Sequence, residues 1–374
     1  MSDSRARFLS RLRKPWVPPT AILLAVLLAV VLTSGGGFSP SRVASDEKIV
    51  FFPTAAHLTP DGKSWVVPVH GWIFEPEEDD RLRGATIDAL QKTLGLDAEG
   101  ENTEIFRRRM ALFLVDNERH KQIVIRLGHD AHPLPESAAN GHFRAALEVR
   151  ASKLPAAAGS RLRFAVSLPE TDTRRFEGEV HLVGPRGISV ISDIDDTVKI
   201  SEVTDKHELL ANTFYRPFRA APGMARLYQQ WARAGAAFHF VSSSPWQLYT
   251  PISAFLRREG FPDASFHLKN FRLKDTSALD LLADPTETKP RAIEPILSAY
   301  PERHFVLVGD SGEMDPEVYG ELARKHPKQV LRIFIRNVTE QPPTAPRFAK
   351  AFKDLPADKW QVFTDPTGLK LPSP

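Results

Sequence analysis

The chain has 374 residues, 42% of them hydrophobic and 25% charged, so it suits two folded domains and excludes large-scale disorder. Its net charge is +3, and Arg5, Arg7, Arg11, Arg13 and Lys14 supply much of the basic excess, which argues against a nucleic-acid-binding surface on the folded part. With no cysteine, disulfides, thiolate metal sites, cysteine nucleophiles and an acylated-cysteine anchor are all excluded.

Residues 1–45 carry an address. The basic stretch leads into an apolar run from Ala21 to Leu32, and no charge occurs between Pro15 and Ser41. That is the pattern of a secretory signal or an uncleaved membrane anchor, and the two alternatives stay open. The positive flank stays on the cytoplasmic side, so the rest of the chain is expected to be exported, on the periplasmic or extracellular face of the membrane.

Residues 46–184 read as a small, mostly-β domain, sandwich-like or barrel-like. Short β-like runs (Trp65–Val69, Gly71–Phe74, Met110–Val115, Gln122–Leu127, His142–Val149 and Leu162–Leu168) alternate with Pro, Gly, Asn and Asp. One helical stretch, Thr86–Leu94 with an extension near Thr103–Arg109, interrupts them. Arg107, Arg108 and Arg109 read as a solvated helix face, and the domain's histidines receive no role.

After Gly184-Pro185-Arg186-Gly187 the rhythm changes to strands alternating with helices. Ile188–Ser192, Ala236–Val241, Phe305–Val308 and Val330–Ile335 are nearly continuous apolar runs, as in a parallel sheet covered on both faces. Pro222–Arg233, Leu248–Arg258, Arg291–Ala299 and Pro316–Lys325 are the helices between them. The expectation for 187–340 is a doubly wound α/β catalytic domain with its ligand beyond the carboxyl ends of the strands. Residues 341–374 read as a loosely attached C-terminal tail.

The chemistry falls just after those strands. Asp193 and Asp195, two apart in an extended segment, face the same way. Two close carboxylates need a shared proton or a cation, the arrangement of a nucleophile beside a general acid. Ser242-Ser243-Ser244 follows the second strand, Lys289 precedes a helix, and Gly309-Asp310-Ser311-Gly312-Glu313-Met314-Asp315 follows the third. Oxygen ligands without thiolate favour Mg²⁺. A hydroxyl and a lysine aimed at one point can hold phosphoryl oxygens. The Gly309–Gly312 run mimics the surroundings of a serine-protease nucleophile, but an α/β pattern without cysteines speaks against it.

Four elements in this order resemble the haloacid dehalogenase superfamily. The runs Ser192–Thr197, Pro222–Met224, Val241–Tyr249 and Gly309–Tyr319 narrow the resemblance to the actin-patch-associated phosphatidate phosphatase catalytic domain. Val69–Phe74 and Phe113–Asn117 are similar to the region preceding that domain in bacterial relatives. The resemblance implies a haloacid dehalogenase-like fold and a Mg²⁺-dependent phosphomonoester hydrolase. Phosphatidate at a membrane surface is the leading substrate; a soluble phosphomonoesterase or a non-catalytic envelope protein are the rivals. It further implies Asp193 as the nucleophile that becomes aspartyl-phosphate and Asp195 as the general acid and base. Ser242 and Lys289 would brace the phosphoryl group. Asp193, the Asp195 carbonyl and Asp310 would hold the metal, with Asp315 as a further metal contact or orienting residue. Asp196 stays open between a site role and capping of its own loop.

Overall fold

The computed structural model describes residues 40–373 apart from 77–83, 85–86, 89–99, 155–160 and 271–287. The basic and apolar N-terminal address, and nearly all of the predicted helix Thr86–Leu94, lie outside the described residues. No helix among the described residues is long and apolar enough to cross a membrane.

The first part of the chain is mostly antiparallel sheet. It runs β1 (Lys48–Phe51), β2 (Thr54–Leu58), β3 (Ser64–Glu75), helix α1 (Glu101–Ala111), β4 (Asp116–Asn117), β5 (Val124–Leu127), β6 (Asp130–Pro133), β7 (His142–Arg150), β8 (Arg161–Val166) and β9 (Glu177–Leu182). These strands connect in the order β1-β3-β2-β9-β8-β5-β6, with β4 and β7 also paired to β3. β2 is the joint, antiparallel to β3 and parallel to β9. Val67, Ile73 and Phe143 from one half share a core with Ile125, Phe164 and Val180 from the other.

Two local expectations are corrected. The runs at 65–69 and 71–74 are one strand, with Gly71 passing where the Phe143 ring leaves only 2.2 Å for a Cβ. Met110–Val115, expected as a strand, ends α1 and turns, because Met110 and Phe113 are buried on a helical face. Apolar runs this short do not distinguish the two periodicities.

The second part holds β10 (Ile188–Ser192), α2 (Lys206–Leu210) followed by a π turn, α3 (Met224–Arg233), β11 (Ala237–Pro245), α4 (Tyr249–Arg258), β12 (Ser265–Lys269), α5 (Thr288–Ala299), β13 (His304–Asp310), α6 (Asp315–Lys325) and β14 (Val330–Arg336). The tail then adds α7 (Pro346–Ala351) and β15 (Trp360–Phe363). Six parallel strands lie in the order β12-β11-β10-β13-β14-β15. The order reverses direction between β10 and β13, the switch point at which doubly wound sheets bind ligands. Asp193 and Asp310 sit at the carboxyl ends of those two strands.

The tail expectation is wrong. β15 completes the sheet beside β14, and Phe348 and Phe352 are buried in the core formed with Val330, Ile333 and Leu322. Ser41–Pro374 forms one compact unit. Phe52, Trp72 and Phe106 of the first part pack in one core with Tyr215, Trp246 and Phe266 of the second. Along the β12 edge, the Phe266 N–H donates to the Pro53 carbonyl at 3.0 Å.

Candidate active site

The β10 backbone carries the central carboxylate. All five β10 residues are buried, and the Asp193 N–H donates to the Val308 carbonyl of β13 at 2.9 Å, so Asp193 continues the ladder past the strand end. Its carboxylate is fully buried. Lys289 Nζ lies 3.0 Å from Asp193 Oδ1, yet neither carboxylate oxygen has a hydrogen-bond partner among the described residues. The pairing is therefore electrostatic, and both oxygens remain free to bond to something else.

Lys289, on the first turn of α5, is the one ammonium among these four carboxylates in the described residues. Its Nζ contacts Asp193, Glu313 at 2.8 Å and Asp315. Burial alone would discharge it, but these carboxylates hold it protonated well above the usual lysine range. Burial pushes Asp193 well above the ordinary carboxylate range; Lys289 opposes that shift, while Asp315, Glu313 and Asp310 add to it. Asp310 and Glu313 are raised as well, burial being the main cause for each. One ammonium does not balance this charge, and bound protons or a divalent cation would offset the shortfall.

A cation fits the donors present. One oxygen each from Asp193, Asp310 and Glu313 lies within 4.8 Å of the others, and Asp310 Oδ2, like both oxygens of Asp193, is buried without a partner among the described residues. Asp310 Oδ1 is already held by the N–H groups of Gly312 at 2.6 Å and Glu313 at 3.0 Å, which aims the second oxygen inward. All three donors are hard oxygens, suited to Mg²⁺.

The structure thus brings together Asp193, Asp195, Ser242, Lys289, Asp310 and Asp315. The Asp315 carboxylate is occupied by Lys289 and by the Asp310 N–H at 3.1 Å. It sits where Gly309 leaves room, since a Cβ there would approach Asp315 Oδ2 to 2.1 Å. Glu313, unassigned from the sequence, stands in the carboxylate cluster instead. Its glutamate-for-any-residue position inside the motif gave no signal.

Asp195 accepts from Ser242 Oγ at 3.0 Å, Ser244 Oγ at 2.9 Å and Ser201 Oγ at 2.7 Å, and pairs with Lys199 at 2.8 Å. Burial would raise its pKa, but Lys199 and these hydroxyls outweigh burial and bring it down to about 2. As arranged, Asp195 is an ionised base; the acid half of its expected role needs a proton delivered to it. Ser242 touches Asp195 and accepts the Ser244 N–H at 2.9 Å. Lys199, Ser201 and Ser244 were not legible as site residues.

Asp196 caps its own loop. Its carboxylate accepts the N–H groups of Ser201 at 2.8 Å, Glu202 at 2.9 Å and Val203 at 2.6 Å, from a left-handed backbone (φ 52°) that aspartate tolerates better than most residues. Arg347, from the supposed tail, donates to the carbonyls of Ser311 and Glu313, each at 2.5 Å, and to the Glu317 carboxylate. It ties down the loop that carries the acidic cluster.

Residues 188–337 match the family model described as the catalytic domain of phosphatidate phosphatase APP1. Phosphatidate phosphatase APP1 of Saccharomyces cerevisiae is 35% identical over 158 residues, 41% of this chain and 26% of its own length. An uncharacterised Schizosaccharomyces pombe protein is 32% identical over 170 residues, 44% of this chain and 27% of its own. The chain spans about a quarter of the length of these relatives. A crystal structure of a HAD-like phosphatase from Mesorhizobium loti covers 44% of this chain and 78% of its own at 14% identity, but its TM-score of 0.29 is too low to carry an argument. The APP1-type segment ends at 337, before α7 and β15, so Arg347 lies outside the matched span.

Proposed function

We propose that the chain is a Mg²⁺-dependent phosphatase that hydrolyses a phosphomonoester through an aspartyl-phosphate at Asp193, with phosphatidate as its substrate. The observation that carries this reading is the Asp193 carboxylate, which is buried beside Lys289 with no hydrogen bond to either oxygen. A structural aspartate this deep would be expected to have its lone pairs satisfied. A nucleophile keeps one free. The APP1 catalytic-domain match supports the class of reaction and the substrate.

In the first step an Asp193 oxygen bonds to phosphorus and the ester P–O bond breaks; the leaving oxygen takes the proton of Asp195, which enters the cycle protonated from solvent, and Lys199 at 2.8 Å pairs with the carboxylate left behind. In the second step Asp195, again ionised, takes a proton from water as that water releases phosphate and restores the Asp193 carboxylate. Asp193, Asp310 and Glu313 would hold Mg²⁺, which when bound offsets the charge of phosphate and carboxylates. Lys289 supplies a fixed positive charge beside Asp193, and Asp315 keeps it in place. Export and attachment to a membrane, the expectation from residues 1–45, would bring such a site to its lipid.

The test is phosphate release by residues 41–374 from phosphatidate in detergent micelles and from an aryl phosphate, with Mg²⁺ or chelator, beside Asp193→Asn. Metal-dependent release from phosphatidate that Asp193→Asn abolishes supports the reading. Release from the aryl phosphate alone moves the substrate to soluble esters. No release from either by folded protein defeats it.

A further inference from the structure

At the far end of the parallel sheet from Asp193, a cavity of about 690 Å³ opens between the two parts of the chain. The five residues of β10 alone separate it from the carboxylates, roughly 16 Å at the rise of a strand. Its volume lies within the range of small-molecule sites.

The charge on its wall is unbalanced. Arg303 is 4% exposed, and its guanidinium donates to Ser189 Oγ at 2.9 Å and to the carbonyls of Gly184 at 2.8 Å, Ile188 at 2.6 Å and Arg186. These bonds use four of the five N–H groups a guanidinium offers and bring no negative charge. Arg233 meets the Gln229 amide oxygen at 3.3 Å and pairs with no carboxylate among the described residues. Asp263, the acidic residue on the wall, is taken by Arg161 at 3.1 Å. His181 stands on the same wall with its Nε2 buried and unpartnered among the described residues. Phe238 and Phe261 add apolar surface. A buried cation without a counter-charge is costly, and an anion in the cavity would offset that cost.

We propose that this cavity is a second binding site, for an organic anion that carries a phosphate, sulfonate or carboxylate on a compact apolar body. Arg303 and Arg233 supply the charge, His181 a further polar contact, and Phe238 and Phe261 the apolar seat. The site is separate from the phosphatase reading and stands or falls independently of it.

The test is a fluorescence titration of the purified chain with 8-anilinonaphthalene-1-sulfonate and with its uncharged counterpart N-phenyl-1-naphthylamine. Arg233→Glu is expected to weaken the sulfonate by about tenfold or more, the scale of one lost charged contact, and to leave the uncharged probe unchanged. Ala232→Trp, which fills the cavity, should weaken both probes, and Lys350→Glu, an exposed reversal elsewhere, neither. Displacement of the sulfonate by monomeric dodecyl phosphate would assign a lipid-derived ligand, and by glycerol 3-phosphate a soluble one. Displacement by neither, absence of saturable binding, or equal effects of Arg233→Glu and Lys350→Glu would overturn the proposal.

Discussion

At the scale of single residues, the acidic cluster separates into carboxylates with different tasks. Asp196 is structural: one side chain satisfies three consecutive loop N–H groups. Asp196→Ala leaves those donors without their acceptor and is expected to cost about 2–4 kcal/mol, whereas Asp196→Asn keeps one acceptor oxygen and should cost less than half of that. Urea unfolding of both variants checks this; equal losses would mean that the loop does not depend on the carboxylate. A second residue-scale test concerns His142. Burial, and then the Arg144 charge, hold its pKa at about 3, and its Nδ1 lies 2.9 Å from His70 Nε2. The unfolded chain binds a proton here below about 6.5 while the fold does not, so the stability this site contributes is complete above that value and lost as pH falls toward 3. Between pH 6.5 and 5 the loss is about 2 kcal/mol. His142→Asn, which keeps a polar group at Nδ1, should flatten the pH dependence by up to that amount, measured against wild type so that groups outside the His70–His142 pair cancel.

At the scale of elements, the pieces outside the strand-end motifs prove to hold those motifs in place. Helix α1 was expected to present Arg107–Arg109 to solvent, yet Arg109 is buried. Its guanidinium lies 3.7 Å from the Phe218 ring centre and donates to the carbonyls of Thr213 at 2.7 Å and Arg216 at 3.0 Å. Burial lowers its pKa to about 9, so it stays charged at neutral pH. A run of three arginines carries no mark of which one turns inward; the helical phase of Phe106 and Met110 beside it does. Helix α7 plays the same part for the acidic loop through Arg347. Arg347→Ala frees the Ser311 and Glu313 carbonyls and should weaken divalent-cation binding about tenfold, the usual scale for residues that orient ligands. Arg347→Lys, unable to span two carbonyls and a carboxylate, should recover only part. Mn²⁺ binding followed by electron paramagnetic resonance, beside the melting temperature in chelator, separates this from general unfolding. A variant that binds Mn²⁺ as wild type does would show that the loop holds itself.

At the scale of the whole molecule, the sequence made the sheet legible where its strands are buried on both faces, and made the site legible where motifs follow those strands. Asp193, Asp195, Ser242, Lys289 and Asp310 all come together as their order along the chain implied. What it hid were contacts made at long range. β15 is short and half-buried, α7 follows a proline-rich stretch, and neither carries a periodic pattern that separates an edge strand from a tail. The same reason hid the union of the two parts, since Phe52 and Trp246 are nearly two hundred residues apart while their rings stand 4.3 Å from each other. Trp246 stands one proline beyond the serine run that touches Asp195, so the β-rich part buttresses that loop as well as covering the β12 edge.

That union makes the chain's boundaries a matter of energy, and the consequence is measurable. Ending the chain at residue 340 removes Phe348, Phe352 and Phe363, which are 0%, 3% and 5% exposed, together with the edge strand and Arg347. At about 1.5–3 kcal/mol for each buried aromatic, the loss is roughly 5–9 kcal/mol, comparable with the whole stability of an ordinary domain. Residues 41–340 should therefore be insoluble or lack a cooperative melt, although they contain the entire matched catalytic segment. Residues 187–374 should fail for the complementary reason, because Trp246, Tyr249 and Phe266 lose Phe52 and the β12 edge loses Pro53. Residues 41–374 should unfold in one cooperative step, with near-ultraviolet circular dichroism and Trp fluorescence changing together. If 187–374 instead melted cooperatively by itself, the β-rich part would be an accessory to a self-sufficient catalytic domain, and its contact with Trp246 would have to matter for turnover rather than for folding.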